Sequence, residues 1–200
     1  WDARTGKPLH NAIVWLDMRT SELVEEVAAA DPALGKDRFR AVTGLPVSTY
    51  FSALKLMWLK RHEPKVAFAI GEGRALFGTI DTWLIWNLSG GAGGEGTRHV
   101  TDVTNASRTM LMDLATGTWH APTCAALGIP VAMLPRITSC AEVVATMAGT
   151  RLDGVPIAGV LGDQHAAMLG QSCFAPGEAK STYGTGAFVL MNVGPQPVAS

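Results

Sequence analysis

The sequence predicts an α/β fold, and three observations predict it. Short apolar runs alternate with segments of helical periodicity, the order expected of a layered α/β architecture. Hydrophobic residues make up 48% of the 200 positions, enough to build a core. No internal repeat interrupts that alternation, which sets aside solenoid and propeller architectures.

The first residues, Trp1 to Leu9, read as a strand end followed by a turn at Thr5-Gly6-Lys7-Pro8, and the last residues are loop chemistry just after a strand. Both ends have the character of chain interior, so the sequence is expected to be an internal fragment. Asn11 to Trp15 is expected to be a short apolar strand. Thr20 or Ser21 can cap a helix through about Ala30, with Glu22, Glu25 and Glu26 near its positive end, and Asp31-Pro32 stops it. After the loop Thr43-Gly44-Leu45-Pro46, a helix is expected to about His62, with Phe51, Leu54, Trp58 and Leu59 on one side. Lys65 to Ile70 suits one or two further turns.

Arg74 to Phe77 has strand character, and Asp81 to Leu88 helical character with Trp83 and Trp86 at the core. Val100 to Thr109 is polar and is expected to be irregular, with Met110 to Leu114 and Ala141 to Val144 as strands and Pro122 to Leu127 as a short helix. Val155 to Leu161 carries no charge and suits a buried strand. Gly162 breaks it, and Gln164 to Leu169 can form a helix. The strands Lys180–Tyr183 and Phe188–Val193 flank Gly184-Thr185-Gly186.

Composition narrows the function. A net charge of −1 and a pI near 6.6 give no electrostatic case for nucleic acid or an anionic membrane. The uncharged stretch Ser181–Ser200 is broken by glycine and proline, a poor membrane span. No targeting leader is visible. Cys124, Cys140 and Cys173 are odd in number and lack CxxC spacing, which suggests a reducing, cytoplasmic setting.

Three stretches carry candidate chemistry. Gly91 to Gly96 matches G-x-G-x-x-G by letters, but a helix precedes it and no helix follows, so a surface turn is expected in place of a dinucleotide cradle. Asp163 follows an apolar run and opens a helix. It could be an ordinary N-cap or a carboxylate held rigidly beside a cleft to accept a proton. Gly184-Thr185-Gly186 could be a plain hairpin turn, or a turn whose unobstructed backbone N–H groups approach phosphate oxygens. His165, alone on its helix, is more simply structural.

In order along the chain, Asn11–Trp15, Thr43–Pro46, Tyr50–Trp58, Leu76–Trp86, Thr101–Met110, Gly162–Gln164 and Thr182–Gly186 together resemble the FGGY family of carbohydrate kinases. The stretches Tyr50-Phe51-Ser52 and Asn105–Met110 are similar to its glycerol-kinase branch. The resemblance implies the ribonuclease H-like (actin-like ATPase) fold, present in part. It divides the chain into the end of the family's N-terminal domain (residues 1–172) and the start of its C-terminal domain (residues 173–200). It further implies ATP-dependent phosphorylation of glycerol to sn-glycerol 3-phosphate, with Asp163 as general base. Tyr50, Gln164 and Asp163 would bind glycerol hydroxyls, Trp15 and Phe188 would sandwich its carbon backbone, and Gly184 and Thr185 would contact the ATP phosphates. Mg²⁺ would be met by Asp163 through water, and the assembly would be a homo-oligomer. The family's first phosphate loop and its Arg-Glu pair should lie upstream of Trp1, and the adenine-binding stretch downstream of Ser200. His165 stands where the family usually has glutamine or serine. The alternatives are another FGGY polyol or sugar kinase, or a non-catalytic relative with the same fold.

Overall fold

The computed structural model describes residues 1–198, which fall into two compact units, one covering Trp1–Val160 and the other beginning at Leu161. The last two residues of the 173–200 segment lie outside the described residues.

The first unit is mostly helical. Its helices are α1 (Ser21–Ala29), α2 (Arg40–Thr43), α3 (Ser52–His62), α4 (Pro64–Gly71), α5 (Ile80–Leu88), α6 (Val103–Ala106) and α7 (Ala121–Ala126). Leu23, Val24 and Val27 bury one stripe of α1, and Ala53, Leu54 and Leu56 one stripe of α3. Leu54 is completely buried, in a cluster that includes Val27, Phe39, Val47, Phe51, Met110 and Leu111. The expected ends of these helices hold to within a residue or two. Thr20, however, lends no side-chain bond to α1, and its buried hydroxyl has no hydrogen-bond partner.

The strands of this unit are short, and the first, Val100–Asp102, finds its partner far along the chain. β1 (Val100–Asp102) runs parallel to β4 (Arg136–Thr138), β2 (Met112–Asp113) antiparallel to β3 (Thr118–Trp119), and β5 (Ala145–Thr146) antiparallel to β6 (Pro156–Ile157). Several expectations are corrected here. Asn11–Trp15 is irregular and joins no sheet among the described residues, and Val14 is exposed. Arg74–Phe77 forms only a bridge from Ala75 to Asp2. Val100–Thr109 is a buried strand followed by a helical turn, and the strand expected over 141–144 starts at Ala145. The run Val155–Leu161 contributes only two strand residues, and of its side chains only Val160 is buried. Asp163 therefore does not end a buried strand.

Asp102 organises the β1–α6 junction. It is fully buried and caps α6 by accepting hydrogen bonds from the Thr104 and Asn105 amides at 2.8 and 3.3 Å. It also accepts from Asn105 Nδ2 at 2.7 Å, from the Thr104 hydroxyl and from the Cys140 thiol at 3.2 Å. Burial pushes this carboxyl up, but the surrounding donors outweigh that and hold it below the usual carboxylate range. Burial and the Asp102 charge push the Cys140 thiol up to about 11. Cys124, Cys140 and Cys173 are all free thiols.

The second unit contains α8 (Asp163–Gly170) and the antiparallel hairpin β7 (Ala179–Tyr183) and β8 (Ala187–Met191), against which α8 packs. In the hairpin Lys180 lies opposite Leu190 and Thr182 opposite Phe188. Burial alternates along both strands: Lys180, Thr182, Phe188 and Leu190 are covered to varying degrees, while Ser181, Tyr183, Ala187, Val189 and Met191 are exposed.

Candidate functional site

In the first unit, Trp15 and Tyr50 come together, their ring centroids 5.7 Å apart and their planes inclined by 53°. Both rings keep open surface, 40% for Trp15 and 36% for Tyr50, so the pair is a platform accessible from outside this unit. Tyr50 also meets Phe51, at 5.2 Å between centroids. Two backbone devices seat the start of α3 just beyond Tyr50. The Ala53 amide donates to the Thr109 carbonyl at 3.0 Å. Thr109 in turn precedes Met110, a fully buried residue held at φ 66°. Arg108 stands within electrostatic reach of Tyr50, and crowding by the protein around it lowers its pKa.

The sequence reading missed what holds this platform. Lys55, only 8% exposed, donates to the carbonyl oxygens of Thr49 and, at 3.3 Å, of Tyr50. Burial lowers its pKa, an effect opposed by the nearby Asp17 charge and reinforced by Arg19. Asp17, two residues beyond Trp15, takes a fork of hydrogen bonds from the Arg19 guanidinium at 2.8 Å, which holds its carboxyl down at about 2. Arg19 then lies over the Trp58 ring, 4.7 Å from its centroid, and Trp58 stacks on His62. One lysine thus grips the Tyr50 backbone and faces the segment that carries Trp15. Lys55→Met is expected to lower the unfolding free energy by about 1–3 kcal/mol, since it leaves two carbonyls without their donor. It should also weaken the near-ultraviolet circular dichroism of the paired rings. Urea denaturation and the dichroism spectrum check both.

In the second unit, Gly162 occupies the N-cap of α8 and Asp163 is the first helical residue, so Asp163 is not the N-cap. Its exposed carboxylate accepts the Gln164 amide through Oδ1 at 2.8 Å and the Gln164 side-chain Nε2 through Oδ2 at 3.4 Å. Gln164 also accepts, through Oε1, a hydrogen bond from Lys180 on β7. His165 lies on the same helix, half-buried.

Gly184, Thr185 and Gly186 form the tip of the hairpin, closed by a Gly184 N–H to Gly186 carbonyl bond of 3.0 Å. The plain turn reading is therefore correct as geometry, and it leaves the tip exposed at Gly184 and Thr185. The two glycines differ. A Cβ built on Gly184 meets nothing within 4 Å, whereas one on Gly186 would lie 2.6 Å from the Phe188 ring. A side chain at 186 would displace that ring, and Gly184 leaves open space of the kind a phosphate can use.

The G-x-G-x-x-G letters at Gly91–Gly96 fold as successive turns with no helix after them. Among the described residues no group of three or more His, Cys, Asp or Glu side chains could hold a metal ion. A lone exposed carboxylate such as Asp163 still suits Mg²⁺, which keeps most of its waters and takes its other ligands from nucleotide phosphates. No helix of the described residues is long and apolar enough to cross a membrane.

Residues 1–170 match the model of the N-terminal domain of the FGGY family of carbohydrate kinases. A glycerol kinase of Rhizorhabdus wittichii is 56% identical over 200 residues, covering all of this chain and 38% of that protein. The chain thus spans less than two fifths of the length of the curated relatives it matches. The crystal structure of Plasmodium falciparum glycerol kinase with ADP superposes on the whole chain with a TM-score of 0.91 at 43% identity, covering 38% of that structure. A gluconate kinase from Lactobacillus acidophilus shares the fold alone, with a TM-score of 0.77 at 21% identity over 94% of this chain and 37% of its own. The fold is accordingly the ribonuclease H-like, actin-like type of these kinases, present in part.

Proposed function

Because this chain belongs to the FGGY family of carbohydrate kinases, we propose that the protein transfers the γ-phosphoryl group of ATP to the terminal hydroxyl of glycerol. The products are sn-glycerol 3-phosphate and ADP. The observation that carries this reading is Asp163: an exposed carboxylate in the first turn of α8, gripped by Gln164, on a helix packed against the hairpin that ends in Gly184-Thr185. Similarity to proteins named glycerol kinase, at 56 and 57% identity, favours glycerol over the pentuloses and gluconate.

In this mechanism Asp163 accepts the proton of the attacking hydroxyl as its oxygen bonds to the γ-phosphorus. The bond to the β–γ bridging oxygen breaks and ADP leaves with that electron pair. Phosphoryl transfer depends mostly on positioning and charge stabilisation, so the rest of the site orients groups. Tyr50 and Gln164 satisfy glycerol hydroxyls, while Trp15 and Phe188 cover its CH faces. Thr185 donates to the phosphate oxygens, and Gly184, whose N–H is spent on the Gly186 carbonyl, leaves them room. Asp163 would hold Mg²⁺ through water, and the ion would supply charge neutralisation at the phosphates. In this reading residues 1–172 close the family's N-terminal domain and 173–200 open its C-terminal domain, supported by the family match ending at residue 170. The enzyme is read as cytoplasmic, in keeping with its three free thiols, and as a homo-oligomer.

The test is ADP release by the full-length protein with a panel of glycerol, xylulose, ribulose and gluconate. Glycerol is expected to give the highest kcat/KM, with phosphorus NMR identifying the 3-phosphate. Turnover of another polyol in preference, or no turnover of any, overturns the reading. The isolated 200 residues are expected to be inactive.

A further inference from the structure

Lys180 is a charged side chain on the covered face of a hairpin, only 3% exposed, and the mechanism above does not use it. A lysine amine offers donors and no acceptor when protonated, whereas a glutamine amide offers one acceptor end and one donor end. The Lys180 amine donates to Gln164 Oε1 and, at 2.8 Å, to the Thr182 hydroxyl on its own strand. With its oxygen engaged in this way, the Gln164 amide can turn only its NH₂ toward Asp163. The carboxylate then meets two donors from one residue, the main-chain N–H at 2.8 Å and the side-chain Nε2 at 3.4 Å. A flipped amide would set its oxygen against both the Asp163 carboxylate and the space in front of it, and would leave its NH₂ against a donor.

We propose that Lys180 is a positioning residue that locks the Gln164 amide with its NH₂ toward Asp163, and so fixes the orientation of the carboxylate that accepts the substrate proton. This rests on the glycerol-kinase reading of the same site. It also sets the polarity of that site: Gln164 presents a hydrogen-bond donor, so the substrate atom it meets is a hydroxyl oxygen acting as acceptor. The same hydroxyl is then free to give its proton to Asp163. Lys180 acts from the strand that leads into Gly184-Thr185, so an effect on the sugar side must be separated from an effect on the nucleotide side.

The experiment is a double-mutant cycle in the full-length enzyme with Lys180→Met, Gln164→Ala and the pair, reading kcat and the KM of glycerol and of ATP separately. Lys180→Met is expected to lower kcat/KM for glycerol about tenfold or more, with the KM of ATP unchanged within about twofold, and the pair to be no slower than Gln164→Ala alone. Additive losses, or a rise in the KM of ATP matching that of glycerol, overturn the proposal in favour of a structural or nucleotide-side role. If Lys180→Met does not fold, Gln164→Glu decides. It keeps the acceptor for Lys180 and removes the donor to Asp163, so it should fold normally and lose at least as much kcat/KM as Gln164→Ala. Near-wild-type turnover by Gln164→Glu overturns the proposal. A wild-type enzyme inactive on glycerol is a separate outcome: it removes the parent reading, and this inference with it.

Discussion

Replacing Asp163 with asparagine in the full-length enzyme is expected to lower kcat by about 10²–10⁴-fold, the range general-base assistance supplies. The substitution is nearly isosteric, and its carbonyl oxygen can still accept the Gln164 amide that Asp163 Oδ1 now accepts at 2.8 Å. The start of α8 is therefore kept, and the loss reports on proton acceptance and not on folding. Far-ultraviolet dichroism and the melting temperature should match the wild type. Burst and steady-state kinetics with saturating ATP and glycerol check the effect, and wild-type turnover would remove Asp163 from the base role.

Asp102→Ala should have the largest effect on stability. Asp102 is fully buried and accepts from two backbone amides, two side chains and a thiol. Losing an N-cap costs about 0.5–2 kcal/mol, and a buried donor left without an acceptor about 1–3 kcal/mol. A total near 2–4 kcal/mol is expected, which lowers the melting temperature by several degrees. The effect should reach the Tyr50 platform, because Thr109, just past α6, accepts the amide that seats α3. The sign of the pH dependence follows from the depressed folded pKa of Asp102. Its contribution is present above the unfolded carboxylate value near 4 and is lost as pH falls toward and through the lower folded value. Denaturation followed from pH 6 down to pH 3 should show the wild type losing stability more steeply than Asp102→Ala. Equal slopes would mean that the buried carboxylate is not linked to folding.

The helices were legible in the sequence because their signals are local. Asp31-Pro32 stops α1, the apolar spacing of Phe51, Leu54 and Trp58 marks α3, and a glycine precedes Asp163 at α8. The strands were mostly not legible. β1 is three residues long and pairs with a strand beyond two further helices and a hairpin, so no local pattern announces it. The apolar run before Asp163 was legible as apolar but not as irregular, since a strand needs a neighbour to bond with. Asp163 and the Gly184-Thr185-Gly186 turn stood out from the residues themselves, and resemblance added the roles of Trp15, Tyr50, Gln164 and Phe188. The lysines behind them, Lys55 and Lys180, did not stand out because a buried lysine is recognised only by what it touches. Burial then converts each from an ordinary surface charge into a polar group with at most 8% of its surface exposed.

The two glycines of the hairpin tip answer to different masters. At Gly186 the Phe188 ring lies where a Cβ would go, so a side chain there would tilt Phe188. Gly184 has no such neighbour, and a methyl group there meets no atom within 4 Å. Tolerance to alanine at these neighbouring positions thus separates two pressures that a bare Gly-Thr-Gly spelling merges: at 186, contact with the Phe188 ring; at 184, open space beside the chain.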